Sequence, residues 1–371
     1  MHPRNSLVLT RRLDLIILSV QPPISRFLNA KMKVEYGDAP QAIAPTVSER
    51  SAGLYSSRNL QRVLSGLHRD GLVVLRGVID ASHIDALNEA MCEDAEERIV
   101  DPSQVFNHNL KSNFLQRPPV TQANLLQDDV YFNSFLLQVA NASVTSKAHV
   151  PISEPGSSTN HRRYLGQTPI WNWLTANTAL ANTAGMRQNE HKDSMFDHPQ
   201  CPYYFIANVP LCDFSVANGA TEFWLGSHAD TTIADQQPVT DETRATWKPS
   251  AATDRIPWIS AEAKDARRAV RPPVQPEVLR GDIMIRDLRT WHAGMPNHSD
   301  KHRIMLGLGY QSPLHPNYKQ RLHLPASQQH FFVGHSRGRL EVRANFYDDE
   351  EFEKTKADSV FDIRPRYEED E

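Results

Sequence analysis

His191, Asp193, His292 and Arg303 are of the types, and in the order, that can build an oxidising metal centre. Two imidazoles and one carboxylate can hold a ferrous ion on one face and leave its other face open to ligands. Arg303 follows the second histidine after eleven residues. A guanidinium there offers a planar two-pronged partner for the far carboxylate of a dicarboxylic co-substrate seated on that open face. The H-x-D pair carries little weight alone, because it occurs five times, at His68/Asp70, His83/Asp85, His191/Asp193, His228/Asp230 and His298/Asp300. Context separates them. His83 and Asp85 fall within an expected helix, where positions two apart point to nearly opposite sides. His68/Asp70 ends an apparent helix, His228/Asp230 closes a Gly-Ser turn, and His298/Asp300 sits in a polar loop. His191/Asp193 lies between two strand-like segments, and in extended chain residues i and i+2 project to the same side.

These groups need elements to hold them. Residues 71–75 read as a short buried strand. Ser82 with Asp85 reads as a capping box opening a helix with Ile84, Leu87 and Met91 on one face. A second helix is expected over 128–142, with Val130, Phe132, Phe135, Leu136 and Val139 on its apolar side. The pattern then changes to strands over 169–180, 203–209, 221–225, 282–287 and 304–310, separated by turn-rich polar connections. Helices followed by a run of short strands indicate an α+β protein with a mainly β core, a sandwich or closed barrel flanked by N-terminal helices. The last two strands form a hairpin that brings His292 and Arg303 to one mouth of that core. Residues 230–280 form a long polar, proline-containing insertion, suited to a lid, a homodimer contact or a surface elaboration.

Composition narrows the classes. The chain has 371 residues, 40% hydrophobic and 23% charged, with a formal charge of −4. That is ordinary for a globular protein and offers no electrostatic footprint for nucleic acid. Cys92, Cys201 and Cys212 form no C-x-x-C pair, so a disulfide scaffold or cysteine-built zinc site is not expected, and a cytoplasmic location is. Residues 1–50 read as an extension outside the core, with residues 1–31 ahead of Met32 as a presequence or unstructured tail, and 51–371 as one catalytic domain. The apolar stretch 13–20 is too short to span a bilayer, which takes about 20 residues. Zinc held by the same triad for hydrolysis and a non-catalytic jelly-roll binding protein are the competing classes. The first leaves Arg303 and Gln188 without an evident task, and the intact triad counts against the second.

Taken together and in order, several motifs resemble the phytanoyl-CoA dioxygenases, and among them fungal members that tailor natural products. The motifs are His-Arg-Asp-Gly-Leu-Val-Val-Leu (68–75), Gln-Asn-Glu-His-Lys-Asp (188–193), Asn-Gly-Ala-Thr-Glu-Phe-Trp-Leu-Gly-Ser-His (218–228), Gly-Asp-Ile-Met-Ile-Arg-Asp (281–287), Trp-His-Ala-Gly-Met-Pro-Asn (291–297) and His-Arg (302–303). The resemblance implies a double-stranded β-helix, or jelly roll, using Fe(II), 2-oxoglutarate and O2. It implies His191, Asp193 and His292 as iron ligands, Arg303 on the distal carboxylate of 2-oxoglutarate, and Gln188 and Thr221 as further co-substrate contacts. His228 is expected to be architectural. An aspartate at 193, rather than a small residue that would admit halide, points to hydroxylation, desaturation or another oxidation of a C–H bond. The expected substrate is a small apolar metabolite of secondary metabolism, with an acyl-CoA or lipid as the alternative. The C-terminal Glu-Glu-Asp-Glu does not match the peroxisomal Ser-Lys-Leu address, which counts against the acyl-CoA. Trp171, Trp173, Met195, Phe196 and Trp291 are candidates to line the substrate pocket.

Overall fold

The computed structural model describes residues 37–125, 128–145, 161–166, 168–183, 185–246, 254–336, 340–354 and 363–366. Residues 1–36, which hold most of the expected extension, lie outside them. The strands that position the site are β1 (Gln41–Ile43), β2 (Leu72–Leu75), β3 (Asn113–Gln116), β4 (Ile170–Ala179), β5 (Tyr204–Pro210), β6 (Glu222–Phe223), β7 (Gln236–Pro238), β8 (Arg255–Ile259), β9 (Ile283–Asp287), β10 (His292–Ala293), β11 (Arg303–Gln311) and β12 (Glu341–Val342). Eight strands form the major sheet in the order β1-β2-β9-β5-β11-β4-β12, with β3 also on β4. β3 pairs with Ala176–Ala179 and β12 with the start of β4, so the two share its outer edge. Gln41–Ile43 precedes the boundary expected at residue 50 and the helix Val47–Ala52 spans it, yet β1 pairs in parallel with β2 and Ile43 is fully buried. The core therefore begins earlier than composition suggests.

Alternation gives the major sheet two different faces. Phe205, Ala207 and Val209 of β5, Ile304, Leu306 and Leu308 of β11, and Ile283 and Ile285 of β9 join the N-terminal helices in the main apolar core. On the helix side, Val63, Leu64 and Leu67 come from Ser57–Asp70, and Ile84, Leu87 and Met91 from Ala81–Ile99. Burying each such side chain is worth about 1.5–3 kcal/mol. On the opposite parity, Ile206, Asn208, Arg286, Arg303, Met305 and Gly307 line a cavity.

A second, smaller layer covers that cavity. β10 pairs antiparallel with β6, and isolated bridges join His191 to His292 and to Trp258, and Phe223 to Val274. The segments therefore run side by side as Trp258, His191, His292, Phe223 and Val274. Leu72, Val74 and Met284 of the major sheet pack with Phe214, Phe223 and Val278 where the layers meet. Both flanks of the small layer, Trp258 and Val274, belong to the 230–280 insertion. The insertion is structural: Ile259 N–H donates to Glu190 O at 2.8 Å, and Lys264 binds Glu190 at 3.0 Å.

Local chemistry differs from expectation at two helices. The helix expected to open at Ser82 is capped by Asp80, whose carboxylate accepts from Ser82 N–H at 2.8 Å. The helix expected over 128–142 is broken into Asp128–Tyr131 and Ser134–Asn141, because Asn133 caps the second piece by accepting from Leu136 N–H at 3.0 Å. An Asn side chain that bonds nearby backbone competes with continuous helix. No helix among the described residues is long and apolar enough to cross a membrane.

Candidate active site

His191 and His292 stand on adjacent segments of the small layer, each donating to the other's backbone carbonyl at 2.9 Å. Their ring nitrogens are fixed alike. His191 Nδ1 lies 2.8 Å from Asn189 O and His292 Nδ1 3.1 Å from Thr290 O. A neutral imidazole donating from Nδ1 keeps the Nε2 lone pair for a metal. Both Nε2 atoms lie 3.8 Å from Asp193 Oδ1, and the ligand-type atoms of the three residues all lie within 4.8 Å of one another. Atoms each about 2.1 Å from one ion and at right angles stand about 3 Å apart, so a small inward movement closes the set. Burial pulls His191 down to about 3 and His292 to about 4, so both imidazoles are neutral at neutral pH. Burial alone would raise Asp193, but Arg286 and the imidazoles outweigh it and hold the carboxyl well below the usual range. Lys192, between the ligands, turns the opposite way and is fully buried. Its Nζ donates to Thr232 O at 2.6 Å and lies 3.1 Å from His198 Nε2, and burial pulls the amine down to about 7.

The approach to His292 is heavily braced. Asp287 accepts from Arg289 Nε and Nη2 at 2.9 and 2.8 Å and from Tyr164 O–H at 2.6 Å. Thr290 Oγ1 donates to Gly71 O at 3.0 Å, and Trp291 N–H donates to Ser227 Oγ at 2.8 Å. Gly71, with φ +70°, ends the helix Ser57–Asp70, and a Cβ there would meet Thr290 Oγ1 at 2.4 Å and His228 Nδ1 at 2.6 Å. His228 is buried with Nε2 3.0 Å from His68 O, an architectural place as expected.

The triad opens into a cavity of about 300 Å³ that Arg303, Gln188 and Thr221 also line. Arg303 is 3% exposed, its carbon Cζ lies 4.8 Å from the centre of the Phe214 ring, and its Nε and Nη1 have no hydrogen-bond partner among the described residues. Burial pulls this guanidinium down to about 10, so it remains a cation. A buried, unpaired cation is costly, and a carboxylate in the cavity would supply the missing partner. Gln188 is clamped to the loop beyond His292: its N–H donates to Gly294 O at 2.9 Å and its Oε1 accepts from Gly294 N–H at 2.8 Å. Glycine at 294 makes this possible, since a Cβ would stand 2.7 Å from that oxygen. Of the expected pocket side chains, Trp173 and Met195 line the cavity. Trp171 lies in the main core against Phe132 and Phe332, Phe196 packs on Tyr203, and Trp291 packs on Trp224. Three of those five aromatic or sulfur candidates are thus packing residues.

Two further residues border the triad and were not singled out from sequence. Arg286 donates from Nη2 to Asp193 Oδ2 at 2.7 Å. A charged residue inside the apolar run Ile283–Asp287 was the available signal. His108, held in the left-handed region at φ 54°, places its ring 4.5 Å from that of His191. It lies in a polar stretch with no periodicity, so nothing in the pattern marks it.

Two imidazoles, a carboxylate and a waiting guanidinium around one cavity define the site class of a metal-dependent enzyme that takes an acidic co-substrate. The phytanoyl-CoA dioxygenase (PhyH) family profile matches residues 67–305. The chain belongs to this family of Fe(II)/2-oxoglutarate-dependent oxygenases and is an oxidoreductase. Among solved structures it is similar to the epimerase SnoN in complex with Fe3+, alpha ketoglutarate and nogalamycin RO, at 18% identity and TM-score 0.46, covering 69% of this chain and 85% of that one. A second structure, the non-heme alpha ketoglutarate dependent epimerase SnoN from nogalamycin biosynthesis, matches at 18% identity and TM-score 0.43, covering 69% and 84%.

Proposed function

We propose that this enzyme oxidises a C–H bond of a small metabolite of secondary metabolism, with iron held by His191, Asp193 and His292 and 2-oxoglutarate anchored by Arg303. The observation that carries the reading is the pairing of a neutral, preoriented imidazole–carboxylate set with an orphaned guanidinium in the same cavity. His191 and His292 would bind through Nε2 and Asp193 through Oδ1. Arg303 would grip the distal carboxylate through its unpaired N–H groups, with Thr221 and the Gln188 amide beside the co-substrate. When bound, iron and 2-oxoglutarate supply oxidation by O2 with release of succinate and CO2. The chain's part is to bind, orient and keep water out. Trp173, Met186, Met195 and Met305 give the cavity pliable apolar wall, while Asn177 and Asn208 add polar contacts for oxygen-bearing groups on the substrate. A zinc hydrolase would leave the guanidinium unemployed.

The test is an anaerobic titration with Fe(II) and 2-oxoglutarate, followed by O2. The expected result is a weak visible charge-transfer band and slow succinate formation, both abolished by His191→Ala or Asp193→Ala. Absence of the band in the wild type would refute the assignment.

A further inference from the structure

We propose that Arg286 is a positioning residue that reserves one oxygen of Asp193 for itself, so that the carboxylate presents a single oxygen to the metal. The inference rests on the metal-binding reading of the triad. The two oxygens of Asp193 have separate surroundings. Oδ2 accepts from Arg286 Nη2 at 2.7 Å, while Oδ1 faces both His191 Nε2 and His292 Nε2 at 3.8 Å. An ion taking both oxygens would share Oδ2 with a second cation, a crowding of like charges that one-oxygen binding avoids.

Arg286 is built to stay in place. It sits mid-sheet, its backbone in register with Leu72 of β2 on one side and Ile206 of β5 on the other. Its parity turns the side chain to the cavity face, where it is 6% exposed. Nη1 approaches His292 Nδ1 at 3.4 Å, but Nδ1 already faces Thr290 O at 3.1 Å. With the imidazole N–H given to the carbonyl, Nδ1 has no lone pair for Arg286, so Asp193 Oδ2 is the acceptor that holds the guanidinium. With Oδ2 held by Arg286, the triad would offer an ion three protein ligand atoms rather than four, leaving more of it available to a chelating 2-oxo acid.

Co(II) titration of the full chain, with and without 2-oxoglutarate, tests this by a spectrum rather than by turnover. In the wild type the Co(II) d–d bands should appear at one equivalent and shift when 2-oxoglutarate is added. R286M should keep its fold by circular dichroism, show a changed d–d envelope, and bind 2-oxoglutarate about 10-fold or more weakly, the scale of lost outer-shell support. R286K keeps a charged donor for Oδ2 and should stay within about threefold of wild type. An R286M spectrum and co-substrate affinity equal to wild type overturn the role of Arg286 while leaving the triad intact. If R286M does not fold, R286K decides, and a displaced spectrum there overturns the proposal. No Co(II) bands in the wild type would sink the metal reading and this inference with it.

Discussion

Replacing Arg303 by Met should stabilise the ligand-free protein and weaken 2-oxoglutarate binding at the same time. The guanidinium is buried, two of its nitrogens lack partners among the described residues, and burial pulls it well below the usual arginine range, to about 10. That drop corresponds to about 3 kcal/mol of unfavourable desolvation, a ceiling because cavity water relieves part of it. Methionine fills a similar volume without charge, so a gain of about 1–3 kcal/mol is expected, raising the melting temperature by about 1–4 °C for a chain of this size. On the proposed anchoring, the co-substrate would lose a two-pronged charge-assisted contact worth about 1.5–3 kcal/mol per hydrogen bond. Its dissociation constant should therefore rise about 100-fold or more. Differential scanning calorimetry without ligand, and anaerobic calorimetric titration of 2-oxoglutarate into the Mn(II)-loaded protein, measure the two halves. A variant that melts several degrees lower and still binds 2-oxoglutarate normally would refute the reasoning, because Arg303 would then be a satisfied structural cation.

Two other predictions follow from the same geometry. His191, His292 and His108 are pulled below their ordinary 6.5, to about 3, 4 and 3, all mainly by burial. The unfolded chain then takes up protons first as pH falls, so metal-free stability should be complete above about pH 6.5 and decline towards pH 4. The lowered Asp193 acts in the same direction in stronger acid. Urea midpoints at pH 7.5, 6 and 5 measure the slope, which His191→Asn should flatten, and equal midpoints at all three pH values would contradict it. Gly71→Ala should cost about 2–5 kcal/mol, from left-handed strain plus the forced shift of Thr290 and His228. A loss below about 1 kcal/mol by chemical denaturation would mean that these side chains give way freely.

The strands were legible because their signal is local. The expected segment 304–310 is the strand Arg303–Gln311, and 282–287 is Ile283–Asp287, since a bounded apolar run reports its own extended state. His191, Asp193 and His292 could be singled out because metal ligands come in few residue types, and the i, i+2 spacing in extended chain restricts where they point. What pattern could not reveal depends on neighbours distant in sequence. The insertion read as a polar loop, yet Trp258 and Val274 edge the layer that carries both histidines. Its pairing partners lie far along the chain, so local composition is silent about them. Trp171 and Trp291 are large and apolar like Trp173, and only the fold decides which of them meets the cavity. Arg286 was visible as an oddity in an apolar strand, but its partner Asp193 is separated by 93 residues.

β11 serves two masters by parity. Arg303, Met305 and Gly307 face the chemistry, while Ile304, Leu306 and Leu308 are locked in the core. A single inserted residue within this strand would exchange the two sets, burying a cation in the core and removing Arg303 from the cavity. Point changes behave differently. Met305 packs on the smaller apolar cluster that includes Leu72, Val74 and Phe214, so position 305 calls for another apolar side chain, whereas 307 is constrained by Trp173, which stands 2.8 Å from where a side chain would begin. The strand thus admits apolar exchange at one odd position, is guarded at the next, and is intolerant of a change in length. A change to this wall of the cavity is therefore made by substitution at the cavity parity, since an insertion would turn Ile304, Leu306 and Leu308 out of the core.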